Sequence, residues 1–131
     1  MRNKFKIILM MLLIFPAAGN SLVFGQMKKI VEKDNLGIYI LFYSEGNGIE
    51  NNGVVIYLKN ENQNAISYNF LLVFRADQKE REQEVKGTLK AGERKTGSND
   101  GLYFIPFPDK RSITEVGVKN IKVEKIAEGI K

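Results

Sequence analysis

The sequence predicts an all-β domain of the sandwich or barrel kind, placed behind an N-terminal leader. Three observations carry that prediction. Runs rich in Val, Ile, Phe and Tyr are separated by polar clusters of Gly, Asn, Asp and Ser, at spacings that suit strands and turns. The clearest of these runs, Ile66 to Arg75, alternates with the period of two expected of a strand with one buried face. Helical signals are weak throughout: the best candidate, Asp77 to Glu84, has a helix-friendly composition but no apolar stripe, and reads as a solvated turn.

The leader comes first. Arg2, Lys4 and Lys6 precede an unbroken apolar run from Ile7 to Phe15, and Pro16, Ala17, Ala18 and Gly19 follow it. A positive start, a short apolar stretch and a small-residue exit are the parts of a secretory signal peptide. Cleavage is expected after Gly25, with Ala17 to Gly19 as an earlier candidate site. The apolar run is well short of the ~20 residues a membrane-spanning helix needs. An uncleaved anchor extended by Leu22, Val23 and Phe24 is the alternative. A lipoprotein would need a cysteine at the cleavage point, and the chain has none. Removing 25 of 131 residues leaves one domain of 106, residues 26–131.

The strands of that domain read in order as follows. Gly37 to Tyr43 is β-branched and aromatic on both faces. Ser44 to Asn52 is a Gly- and Asn-rich loop whose last residue forms Asn52-Gly53, a strong turn signal. Val54 to Leu58 is the next strand, ended by Asn60 to Asn64. In the run from Ile66 to Arg75, the set Ile66, Tyr68, Phe70, Leu72 and Phe74 faces the core. The opposite set starts polar at Ser67 and turns apolar at Leu71 and Val73, as in a strand covered at one end. Val85, Gly87 and Leu89 alternate with Lys86, Thr88 and Lys90 up to a turn at Ala91-Gly92-Glu93. Leu102 to Phe107 is a strand stopped by Pro106 and Pro108, since proline has no N–H to give a sheet ladder. In the last segment the apolar parity changes between Val118 and Ile121. One extra residue near Lys119-Asn120, a β-bulge, would keep both sets inward; a bend between two short strands is the competing account.

Residues 53–93 carry a resemblance. Gly53 to Asn60, then Ile66 to Arg75, then the turn Leu89-Lys-Ala-Gly-Glu93 are similar to the small immunoglobulin-like domains exported by bacteria. The resemblance implies an immunoglobulin-like antiparallel β-sandwich of about seven strands. It carries over no functional residue, and the Cys–Trp–Cys core of antibody domains is missing because the chain has neither residue.

Composition narrows the chemistry. The chain has no His, Cys or Trp. That removes His- and Cys-based nucleophilic catalysis, and zinc, copper or haem sites built on those residues. Three of the 20 Lys and Arg and none of the 15 Asp and Glu lie in the leader, leaving 17 against 15 in the mature chain. Such a balanced, interspersed pattern does not suggest a nucleic-acid footprint. The basic residues Lys79, Arg81, Lys86, Lys90, Arg94 and Lys95 are interleaved with Glu80, Glu82, Glu84 and Glu93, the pattern of a solvated hairpin. Glu45 with Glu50, and Asp100 with Asp109, are the carboxylate pairs to weigh for acid–base work; solvated turn acids are their ordinary reading. Ser44 to Asn52 and Ser98 to Asp100 offer oxygen ligands for calcium, but Asn and Gly are also the usual residues of tight turns. A sandwich inhibitor of cysteine proteases would need an Asn-Pro loop beside Gly46-Asn47-Gly48, and none is present.

These readings converge on a non-catalytic, exported binding or structural module of the cell envelope, with no cofactor. It would act in the periplasm, at the cell surface or outside the cell, contacting another macromolecule through its edge strands and the loops 44–52 and 94–101. Glu45, Asn47, Glu50, Asn51, Asn99 and Asp100 are the candidate contact residues. A small-ligand or glycan-binding sandwich, calcium-assisted or not, is the second reading. Tyr39, Tyr43, Tyr57 and Tyr103 can each lie on the parity opposite the most apolar set of their strand. Three or more of them facing solvent in one patch would favour it, whereas packing in the core or at an edge is the commoner use of tyrosine.

Overall fold

The computed structural model describes residues 27–44 and 51–127, together with a two-residue strand, β1 (Phe15–Pro16). The expected leader, residues 1–25, otherwise lies outside the described residues. The remaining strands are β2 (Lys28–Lys33), β3 (Leu36–Tyr43), β4 (Gly53–Asn60), β5 (Ile66–Ala76), β6 (Lys79–Leu89), β7 (Arg94–Thr96), β8 (Tyr103–Phe104) and β9 (Glu115–Lys125). They form two antiparallel sheets. One has the order β1-β9-β5-β6; the other has the order β2-β3-β4-β7, with β8 beside β7 on the same edge of β4. The all-β sandwich read from the sequence is the fold, and among the described residues no helix is long and apolar enough to cross a membrane.

Each strand forms for a local reason. β2 and β3 make a hairpin through Asp34 and Asn35, both at positive φ (49° and 65°), the backbone that a two-residue turn between twisted strands requires. Asp and Asn tolerate it because their short polar side chains can bond locally. β5 and β6 pair without a break from Ile66↔Leu89 to Ala76↔Lys79, closed by Asp77 at φ 55°. The Asp77 to Glu84 stretch, expected as a solvated turn, is therefore mostly an edge strand. Its first six residues are all exposed, so no apolar alternation marked it. An unbroken backbone ladder holds it, and its charges keep the exposed edge from pairing with other chains.

β9 carries the expected bulge. The register steps from Asn69↔Lys122 to Leu71↔Lys119, and Asn120 sits at φ 56° in the extra position. Val116, Val118 and Ile121 are all buried as a result. Other expectations need correction. The strand expected over Leu102 to Phe107 is only Tyr103–Phe104, because the two prolines that follow cannot continue a ladder. β2 and β7 were not foreseen: β2 is a mixed run with its own register shift between Lys29 and Val31, and β7 is three residues long.

The core lies between the sheets. Ile38, Ile40, Ile56 and Leu58 come from one side, and Phe70, Leu72, Phe74 and Val118 from the other. Leu102, Phe107 and Ile113 close it from the loops. Fully burying side chains of this kind contributes about 1.5–3 kcal/mol each. Asn52 and Asn60 are the polar exceptions among the described residues, and Asn60 is fully buried at the end of β4. Its amide donates to the carbonyl oxygens of Asn64, Leu89 and Lys90 at 2.9–3.3 Å, and its Oδ1 accepts from the backbone N–H of Asn62 at 2.9 Å. One side chain thus ties β4 to the end of β6 in the opposite sheet.

Candidate functional site

The period-two alternation of strands decides which side chains leave the core. On β3, Ile38, Ile40 and Phe42 point inward, so Tyr39, Leu41 and Tyr43 point outward. On β4, Val54, Ile56 and Leu58 point inward, so Gly53, Val55 and Tyr57 point outward. The register Tyr39↔Tyr57, Leu41↔Val55 and Tyr43↔Gly53 places these in opposed pairs, and Tyr103 on β8 lies opposite Val55. Four of the chain's five tyrosines therefore share one outer face.

The rings are arranged in two edge-to-face pairs. Tyr39 and Tyr57 have centroids 5.2 Å apart at 67°, and Tyr43 and Tyr103 are 5.7 Å apart at 62°. The Arg94 guanidinium donates to the Tyr57 hydroxyl at 3.2 Å, and the Lys29 ammonium stands 5.6 Å from the Tyr39 ring centroid. Two glycines lie beneath rings. A Cβ at Gly37 would come within 2.9 Å of the Tyr39 ring, and one at Gly53 within 3.1 Å of the Tyr103 hydroxyl and 3.3 Å of its ring. Tyr43 is 46% exposed and Ile105, beside Gly53, is 37% exposed. They are two of the three most exposed large hydrophobic residues among those described, and both sit at the same end of this face. Tyr39, Tyr57 and Tyr103 are half-buried, the first two against each other and the third against Tyr43.

Of the loop residues singled out from the sequence, Asn51, Asn99 and Asp100 are described, and they lie in turns. Glu45, Asn47 and Glu50 lie outside the described residues. Asn51 stands at φ 56°, where its N–H donates to the Ser44 hydroxyl at 3.1 Å and its carbonyl accepts from Ile113. These are turn-forming contacts. Asp100 accepts from the Thr96 N–H at 2.8 Å and closes the 97–101 turn; Asn99 is exposed beside it. Among the described residues, no three acids come together to hold a metal.

A shallow cleft of roughly 480 Å³ is lined by Lys79, Glu80, Arg81, Phe107, Pro108 and Asp109. Glu80 is paired with Arg75 at 3.1 Å and Asp109 with Arg111 at 2.6 Å. The Arg111 side chain holds the Asp109 carboxyl down from its ordinary 3.8 to about 2. A general acid needs the opposite shift. The basic residues of the 79–95 segment are split between the sheets. Lys79, Arg81 and Lys86 lie on β6, Arg94 joins the tyrosine face, and Lys95 donates to the Thr88 carbonyl across the sandwich.

Parity had marked each tyrosine as able to face outward. What it could not supply was the pairing of β3, β4 and β8 that gathers them, or the glycines beneath their rings. No family model matches this chain, and no curated protein matches it either.

Proposed function

We propose that this protein is a non-catalytic binding module of the immunoglobulin-like sandwich type, exported by its leader to the bacterial cell envelope or beyond. Its contact surface is the outer face of the β2-β3-β4-β7/β8 sheet, in place of the loops and edge strands expected from the sequence. The observation that carries this reading is the gathering of Tyr39, Tyr43, Tyr57 and Tyr103 on one face, with Ile105 exposed at its end. Tyrosine and arginine contribute most to contact surfaces because they bring large area, few rotatable bonds and a polar tip. The two acids of the shallow cleft, Glu80 and Asp109, are each paired with an arginine, which suits a binding role better than acid–base work.

The test compares variants of the full chain, tagged at the C-terminus and produced in envelope-bearing cells. Tyr43→Ala with Tyr103→Ala is expected to release the protein from the macromolecule that retains it. Asn99→Ala with Asp100→Ala is expected to leave retention unchanged. The reverse result would return the contact to the loops.

A further inference from the structure

The rings are laid out for a particular kind of ligand, and we infer that the tyrosine face binds a neutral polysaccharide chain by stacking sugar rings on Tyr39 and Tyr103. This rests on the face being the contact surface. Tyr39 lies over Gly37 so closely that a methyl group there would collide with the ring, and Tyr103 lies over Gly53 closely enough that one would press against it. A tyrosine packed down onto a glycine leans along the sheet instead of standing off it. Its edge-to-face partners, Tyr57 and Tyr43, stand beside it as walls. The Lys29 ammonium over Tyr39 marks the side on which the electron-rich ring face is presented. The C–H face of a pyranose is electropositive in the same sense and has the flat shape to cover the ring. Lys29 is exposed, and its surface ion pair with Glu32 is weak enough for a ligand to displace.

Charge and spacing favour a neutral, extended ligand. Lys29 is paired with Glu32, and Lys59 with Glu61 at 3.3 Å, so these four charges bordering the face cancel in pairs and Arg94 is the one that remains. The Arg94 guanidinium is engaged by a phenol, and both are groups that can exchange hydrogen bonds with sugar hydroxyls. Gly53 lies opposite Tyr43, six positions along β3 from Gly37. At about 3.4 Å per residue the two glycines are roughly 20 Å apart along the sheet. That separation suits a chain several sugars long and exceeds a disaccharide. Leu41 and Val55, opposite each other between the two ring pairs, form the apolar floor.

The experiment is an NMR titration of the full chain with neutral hexasaccharides of glucose and of N-acetylglucosamine, and with the matching disaccharides. An acidic galacturonate hexamer serves as the charge control. The expected result is saturable shifts at Tyr39, Tyr103 and their neighbours, with a neutral hexamer binding at least about tenfold more tightly than its disaccharide. Gly37→Ala and Gly53→Ala, which lift a ring without removing it, should each weaken binding several-fold while the spectrum stays dispersed. Tyr39→Leu and Tyr103→Leu, which keep an apolar side chain over each glycine, provide a second pair should a glycine variant unfold. No neutral hexamer binding at millimolar concentration overturns the ligand class. So does tighter binding of the acidic hexamer, or binding indifferent to both glycine and leucine variants. If Tyr43→Ala with Tyr103→Ala still releases the protein from the envelope when no saccharide binds, the face stands and its ligand is a polypeptide. If neither is seen, the face itself is wrong.

Discussion

The two outer faces of this sandwich are built from the same strand geometry and opposite chemistry. On the β6-β5-β9 sheet, the outward residues of β5 are Ser67, Asn69, Leu71, Val73 and Arg75, with glutamates and lysines on the flanking strands. Arg75 bridges Glu80 and Glu115, Lys119 reaches Glu82 at 2.6 Å, and Asn69 donates to Glu84. Val73, apolar and only 1% exposed, sits between these pairs. On the other sheet, the outward residues are tyrosines, Leu41, Val55 and glycines. One face satisfies its polar groups internally across three strands and keeps its edge charged. The other leaves aromatic surface half-covered by itself. A small domain gains nothing in folding from exposing tyrosine, so the asymmetry reads as a division between a solvated side and a contact side.

Because both faces share one core, the largest effects should ignore the difference between them. Phe70→Ala beneath the charged sheet is expected to cost about 3–5 kcal/mol, and Ile56→Ala beneath the tyrosine sheet about 2–5 kcal/mol, measured by urea unfolding. A small effect at only one of them would mean the sheets do not share a core. The faces should then part company in binding. Tyr43→Ala with Tyr103→Ala should lower partner affinity by about thirtyfold, the loss of a contact residue worth roughly 2 kcal/mol. Glu82→Gln with Lys119→Gln, on the opposite face, should stay within twofold, as is usual for surface ion pairs.

Coupling between the sheets is tested by Asn60→Ala. It leaves the Leu89 and Lys90 carbonyls short of a donor and should cost about 1–3 kcal/mol in thermal or urea unfolding. The smallest effect is the acid response at Asp109. Its carboxyl is depressed in the folded state, so its contribution to stability is complete above pH 3.8 and fades as pH falls toward 2. Asp109→Asn should therefore lower stability slightly at neutral pH, leave it unchanged near pH 2, and remove that part of the acid dependence. At the other extreme, burial raises the Tyr68 hydroxyl above its ordinary 10. The neutral form is the one the fold favours, so its stabilising effect holds below pH 10 and is lost as pH rises through the raised value.

How far the sequence foretold this follows from where information sits along a chain. Strands with alternating apolar residues, such as β5, were readable because burial on one face writes a period of two. The bulge in β9 was readable for the same reason, since a parity change leaves one residue to absorb and Asn120 tolerates the backbone it needs. β6 was not readable over its first half. Its stability comes from backbone pairing with β5, which leaves no mark on side-chain pattern. β7 and β8 take their position from β4 and are too short to show a period. The candidate site was half legible: parity showed that four tyrosines could face outward. Only strand order shows that they face the same way, and strand order is a property of pairings distant in sequence. The acidic and Asn-rich loops drew attention because their residues could bind, but those described are occupied in forming turns.

The most direct test of the contact side is site-specific photo-cross-linking in cells, with the reactive group placed at Leu41 or Tyr43 on one face and at Glu84 or Lys86 on the other. The account predicts a discrete or polysaccharide-sized adduct from Leu41 and Tyr43 and none from Glu84 and Lys86. Adducts from the charged face alone would contradict it.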